Sequence, residues 1–87
     1  MAVPRVEMYT KWGCGFCSRA KALLTSKGAA FEEYDVTMGG PKKAEMQTRV
    51  PGASTVPQVL IAGTAVGGSD DLAALDWAGK LDALLGG

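Results

Sequence analysis

Cys14-Gly15-Phe16-Cys17 sets two thiols three residues apart, and the chain has no other cysteine. A pair at this spacing can close a structural disulfide, supply half of a metal site, or cycle between dithiol and disulfide. A loop so short stabilises by only about 2 kcal/mol in the chain-entropy account and needs an oxidising compartment. Two cysteines with no histidine cannot complete a four-ligand zinc site without a second chain or an outside ligand. Redox cycling needs one exposed thiol held as thiolate and a second, buried one close by. The absence of histidine also removes the Ser/His and Cys/His nucleophile pairs and the commonest general base.

The neighbouring elements decide between these uses. Val6-Glu7-Met8-Tyr9 alternates and reads as a first strand. Beyond the motif, Cys17, Ala20, Leu23 and Leu24 recur at helical spacing, and Gly28 stands where a helix-ending glycine belongs. The motif therefore falls between a strand end and a helix start. A helix N-terminus offers free N–H groups and a partial positive charge, both of which favour a thiolate. Cys14 is expected at that end, exposed and attacking. Cys17 falls on the apolar stripe and is expected buried, as the resolving thiol. Between Thr10 and Ala30 the charged residues are Lys11, Arg19, Lys21 and Lys27, with no acid. Lys11 is the nearest of these and would lower the Cys14 pKa by direct attraction. Lys21 and Lys27 read as the solvated face of the helix.

Phe31 to Val36 reads as a second, half-exposed strand. Gly39-Gly40-Pro41 opens a helix to about Arg49 with Pro41 at its first position. Gln58–Ile61 and Thr64–Val66, joined by Ala62-Gly63, form a hairpin. Ser69 or Asp70 caps a helix that runs through Leu72, Leu75 and Trp77 to Gly79, and Leu81, Leu84 and Leu85 mark a last turn or two. The order β-α-β-α-β-β-α predicts an α/β chain with a mixed sheet, because the first β-α-β unit is parallel and the hairpin antiparallel. Trp12, Phe31 and Trp77 read as packing residues. Met8, Met38 and Met46 read as core or semi-exposed fillers.

The 87 residues make one domain, 1–87, with a small core, since a chain this short buries roughly 60–65% of its unfolded surface. A formal net charge of zero argues against nucleic acid as a partner. No apolar run reaches signal-peptide or membrane-spanning length, so the expected setting is the cytosol, away from membranes.

Two further segments bear on binding. Thr55-Val56-Pro57 precedes a strand, where a proline fits because it donates no ladder hydrogen bond. A cis Val56–Pro57 bond would turn the Val56 N–H and C=O outward toward an extended peptide. From the residues alone the bond is expected trans, cis being about 5–6% of such bonds. Gly67-Gly68-Ser69-Asp70-Asp71 runs two glycines into a helix start. It reads equally as a turn with an N-cap or as a place for a ligand bearing a carboxylate and an ammonium group.

Taken in order, these segments resemble the glutaredoxins, and specifically the small bacterial dithiol type. The likeness runs from Tyr9-Thr10-Lys11 and Arg19-Ala20-Lys21-Ala22-Leu23-Leu24 through Thr55-Val56-Pro57-Gln58 to Gly67-Gly68-Ser69-Asp70-Asp71-Leu72. It extends over nearly the whole chain, to the late Leu81-Asp82-Ala83-Leu84-Leu85. The resemblance implies a thioredoxin fold with a four-stranded mixed sheet and, against the residue-level reading, a cis Pro57. It implies a glutathione groove in which Lys11, and Arg49 with it, meets the glycyl carboxylate. Val56 would bond the cysteinyl backbone between Thr55 and Pro57, beside the Phe16 ring. The N–H groups of Gly68 and Ser69, with Asp70, would hold the γ-glutamyl end. Two departures stand out: Gly15 and Phe16 replace the family's commoner Pro and Tyr, and Ser69 stands where some relatives carry a third cysteine. Cys-Gly-Phe also opens the monothiol branch, but Lys11-Trp12-Gly13-Cys14 leaves no room for that branch's extra residues.

The resemblance implies a monomeric, glutathione-dependent thiol–disulfide oxidoreductase acting on glutathionylated and disulfide-bonded proteins through Cys14 and Cys17. The alternative is a dimer bridging a [2Fe-2S] cluster through Cys14 of each copy and two glutathiones. A thioredoxin relative that ignores glutathione is disfavoured by the Gly67–Asp71 segment.

Overall fold

The computed structural model describes residues 4–86; Met1 to Val3 and Gly87, the ends of the expected domain, lie outside the described residues. The elements are β1 (Val6–Thr10), α1 (Gly15–Ser26), β2 (Glu32–Asp35), α2 (Pro41–Arg49), β3 (Gln58–Ile61), β4 (Thr64–Gly67), α3 (Ser69–Trp77) and α4 (Leu81–Leu84). The strands form one sheet in the order β2-β1-β3-β4. β1 and β2 are parallel, with Tyr9 opposite Tyr34, as a strand–helix–strand crossover requires. β3 runs antiparallel to β1, with Met8 opposite Val59, and the β3–β4 hairpin completes the mixed sheet. This is a thioredoxin-like fold.

β1 is central, and all five of its residues are buried. Its alternation divides the core. Val6 and Met8 face Ala20 and Leu24 of α1, Leu72 of α3 and Leu81 of α4. Tyr9 meets Val36, Ala53, Leu60 and Met46 of α2 on the opposite side. β2 lies at the sheet edge, which explains why Glu32, Glu33 and Asp35 are tolerated in it.

The predicted elements agree with these closely, and the differences have local causes. α1 starts at Gly15 rather than Cys17, because Cys14 itself is the N-cap. It ends as expected: Gly28 takes φ +69, and the N–H of Ala29 reaches back to the Leu24 carbonyl at 3.0 Å. α3 is capped by Gly68, not by Ser69 or Asp70; the Gly68 N–H donates to the Asp71 carboxylate at 2.9 Å. Phe31 packs on the core as read. Trp12 and Trp77 do not: they are 88% and 93% exposed, and Met38 is exposed as well. Among the described residues, no helix is long and apolar enough to cross a membrane.

Candidate active site

β1 delivers the chain to Thr10 at the sheet's end, and the turn through Lys11, Trp12 and Gly13 swings Cys14 onto the start of α1. Gly13 makes that turn at φ +73, backbone that side chains disfavour. Cys14 keeps extended backbone, and its Sγ accepts the Cys17 N–H at 3.2 Å, capping the helix with sulfur. Three positions along the helix, Cys17 points into the core and is 1% exposed, whereas Cys14 is half-buried. Both thiols are free.

Burial is the largest influence on the Cys14 thiol and pushes its pKa up. The Cys17 thiol, the N–H groups of Cys17 and Phe16 and the charge of Lys11 together outweigh it, so the net direction is down. Cys17 goes the other way, up to about 11, through burial and through donation to the Cys14 sulfur. One thiol is thus biased toward thiolate and the other held protonated, which is the division of labour that dithiol cycling uses.

Val56–Pro57 is a cis bond, correcting the trans expectation drawn from the residues alone. The Cys14 sulfur lies 3.9 Å from the Val56 carbonyl oxygen, so the cis-proline loop stands directly beside this thiol. Gly68 approaches the same loop closely, since a Cβ there would stand 3.2 Å from the Pro57 carbonyl. Two clefts are lined by residues of this region. One of about 140 Å³ is lined by Phe16, Pro57, Gly68, Ser69, Asp70 and Asp71. A larger one of about 360 Å³ holds Thr10, Lys11, Trp12, Cys14, Cys17, Lys21, Glu33 and Asp35.

Lys11 thus shares the larger cleft with the two cysteines, Phe16, Pro57, Gly68, Ser69 and Asp70 line the smaller one, the Val56 carbonyl stands beside the Cys14 sulfur, and Thr55 is exposed just before it. Arg49 is placed differently. Its guanidinium forms a bidentate pair with Glu7, both contacts at 2.8 Å, and also reaches the Tyr9 hydroxyl, so its donors serve the core face of β1. The Gly68 N–H is likewise occupied, by Asp71, leaving the N–H groups of the first α3 residues, Ser69 and Asp70, without helical acceptors.

Lys21 and Lys27 are not merely solvated. Lys27 bridges Asp76 at 2.6 Å and Asp82 at 3.1 Å, and Lys21 pairs with Glu33 at 2.9 Å inside the larger cleft. The Lys21 position was readable, four residues after Cys17 on one helix face; its partner on β2 was not. Gly15 lies in the first turn of α1 with open space where a Cβ would stand, so neither conformation nor crowding demands glycine there. Among the described residues, no three His, Cys, Asp or Glu side chains converge as metal ligands; a bridged cluster would draw its other thiolates from outside the chain.

A thioredoxin-like fold with a cysteine-capped helix, a buried partner thiol and a facing cis-proline defines a thiol–disulfide oxidoreductase. The glutaredoxin family model matches residues 6–66, and the chain belongs to the glutaredoxin family. It is 51% identical over 80 residues to glutaredoxin 3 of Escherichia coli K12, covering 92% of this chain and 95% of that one. The solution structure of a glutaredoxin from Brucella melitensis superposes with TM-score 0.83 at 49% identity, covering 98% of this chain and 91% of that one. The crystal structure of a buckwheat glutaredoxin–glutathione complex superposes with TM-score 0.82 at 30% identity, covering 95% and 77%.

Proposed function

We propose that this chain is a glutathione-dependent oxidoreductase of the cytosol that reduces protein–glutathione mixed disulfides and protein disulfides. The observation that carries the reading is the pairing of unlike thiols, a half-buried Cys14 held toward thiolate beside a buried, protonated Cys17. The buckwheat complex supports glutathione as the small thiol.

The Cys14 thiolate attacks the glutathione sulfur of a mixed disulfide. The substrate protein leaves as a thiolate and takes up a proton, and Cys14 keeps the glutathionyl group. A second glutathione, as its thiolate, attacks that disulfide, releasing oxidised glutathione and restoring Cys14. On a protein disulfide, Cys14 instead forms a mixed disulfide with the substrate, and Cys17 resolves it. Lys11 offers a cation for the glycyl carboxylate. Thr55, Val56 and Pro57 offer the backbone edge for the cysteinyl unit beside Phe16, and the cleft lined by Gly68, Ser69 and Asp70 receives the γ-glutamyl end, with the Ser69 and Asp70 N–H groups as its donors.

The test is turnover of a small glutathionyl mixed disulfide by wild type, Cys14→Ser and Cys17→Ser. Wild type and Cys17→Ser are expected to turn over, and Cys14→Ser to show no rate above background. Equal loss in both variants, or no glutathione dependence in reduced, folded wild type, overturns the reading.

A further inference from the structure

Protein-disulfide reduction makes a demand that glutathionyl exchange does not: the buried Cys17 must become a thiolate inside the fold. The free chain works against this. Cys17 is buried and donates its proton toward the Cys14 sulfur, and Cys14's own charge raises its pKa further. Once Cys14 is bonded to substrate, its negative charge is gone, and what remains around Cys17 sets how readily its sulfur carries charge. The ionisable groups there are few. The β1–α1 turn contributes Lys11, α1 contributes Lys21, and β2 contributes Glu33 and Asp35, all on the larger cleft. α3, which also packs along α1, meets it through Asp76 at Lys27, toward the opposite end of the helix.

Lys21 is the distinctive member. It stands one helical turn beyond Cys17, the spacing at which side chains on one face become neighbours. Its ammonium group is paired there: Glu33 accepts from its Nζ at 2.9 Å, and the same carboxylate oxygen accepts from the Thr10 hydroxyl at 2.7 Å. The chain Thr10–Glu33–Lys21 is anchored on two strands and holds an ammonium group in the cleft that Cys17 lines. We propose that Lys21, fixed by Glu33 and Thr10, is a positioning residue for the resolving step, stabilising the negative charge that forms on Cys17 and so selecting the two-cysteine route. Consistent with this, the Lys21 charge acts on Cys17 to lower its pKa.

In that step Cys17 gives its proton to water in the cleft. Its thiolate attacks the Cys14 sulfur of the Cys14–substrate disulfide, the Cys14–Cys17 disulfide forms, and the substrate leaves as a thiolate that is then protonated. The two electrons that complete reduction of the substrate come from the two cysteines, and no other reductant enters until glutathione restores the dithiol. The proposal rests on the two-cysteine half of the reading above, so its first test is independent of glutathione.

The Cys17 thiolate is titrated by its ultraviolet absorbance in Cys14→Ser, with and without Lys21→Met or Lys21→Arg. Lys21→Met is expected to raise the Cys17 pKa by about one unit, tenfold less thiolate at a fixed pH, and Lys21→Arg to restore most of it. With Cys14 intact, Lys21→Met should slow protein-disulfide reduction severalfold more than glutathionyl exchange at neutral pH, and the gap should close as pH rises. Lys21 is half-exposed, so loss of fold is not expected; Lys21→Gln stands in should the methionine variant be unstable. An unchanged Cys17 pKa, an equal shift in Lys21→Arg, or a rate ratio that does not respond to pH overturns the proposal.

Discussion

Glu7 is a carboxylate on the central strand, 5% exposed, with apolar residues on either side of it in sequence. Such a group survives burial only when its charge is matched. Arg49 does this with two parallel hydrogen bonds, and the Tyr34 hydroxyl adds a third contact at 2.8 Å. The Arg49 hydrogen bonds are the largest influence and hold the Glu7 carboxyl at about 2, with burial opposing them and Tyr34 assisting. Because the folded value lies below the ordinary one, the stabilisation is complete above the ordinary glutamate range. It is lost as pH falls toward about 2. Arg49→Met, which strands the carboxylate, is expected to cost about 3 kcal/mol at neutral pH, the low end for a broken buried pair since Arg49 is only partly buried. Urea unfolding checks both points: the wild-type midpoint should fall through the acid range, and Glu7→Gln should flatten that fall. A wild-type midpoint that does not move between pH 5 and the acid limit would remove the pair from the stability account.

The elements that carry the site are held by backbone as much as by side chains, and α3 shows this. Gly67 has φ +107, and the space a Cβ would need is filled by the Asp71 carboxylate that caps Gly68. Gly67→Ala should therefore cost about 2 kcal/mol and loosen the start of α3. On the proposed function, the KM for glutathione should rise with it, since Gly68, Ser69 and Asp70 line the smaller cleft. Gly63, also at positive φ but facing open space in the β3–β4 turn, is the control: Gly63→Ala should lower the thermal midpoint modestly and leave KM alone. Equal effects from the two alanines would mean that the crowding at Asp71 is irrelevant. This region also marks how far the sequence could be read. Strand alternation, the 3.6-residue stripe of α1 and the Pro41 and Gly28 boundaries are local patterns, and each element they predict is present. The pairs that link distant residues left no local signal: Glu7 with Arg49, Lys21 with Glu33, Lys27 with Asp76. The same holds for the cap at Gly68, where a glycine followed by Ser and two Asp offers several equivalent candidates. Arg49 was readable as a cation near the site; that it serves β1 instead depends on α2 packing over Glu7. Trp12 and Trp77 look like core residues by composition, yet they fall on turns and helix ends that the sheet leaves uncovered.

Across the whole molecule, α1 joins two regions with different tasks. Its N-terminus carries the thiols at the end of β1, and its C-terminus is tied down by charge. The run of cations around the cysteines and the acids of the last third, which cancel in the net charge, meet where Lys27 bridges Asp76 of α3 and Asp82 of α4. Those carboxylates raise the Lys27 pKa, the Asp76 hydrogen bond most, and so favour its charged form. α4 is a single short turn whose one fully buried anchor is Leu81, so it depends on this contact more than a longer helix would. Lys27→Met should leave the stem packed while removing the charge. The expected result is faster amide exchange at Leu84, Leu85 and Gly86, whose N–H groups close the last turn, with the start of α1 unaffected. The thermal midpoint should fall, and the gap from wild type should narrow as salt is added, because exposed carboxylates are screened. Turnover through Cys14 should persist at temperatures where the variant is folded, since the Cys14 thiol is biased toward thiolate by Cys17, the helix start and Lys11, none of which Lys27 touches. Exchange that rises equally at both ends of α1, or turnover lost without unfolding, would show instead that the ion cluster and the thiol site are mechanically coupled through the helix.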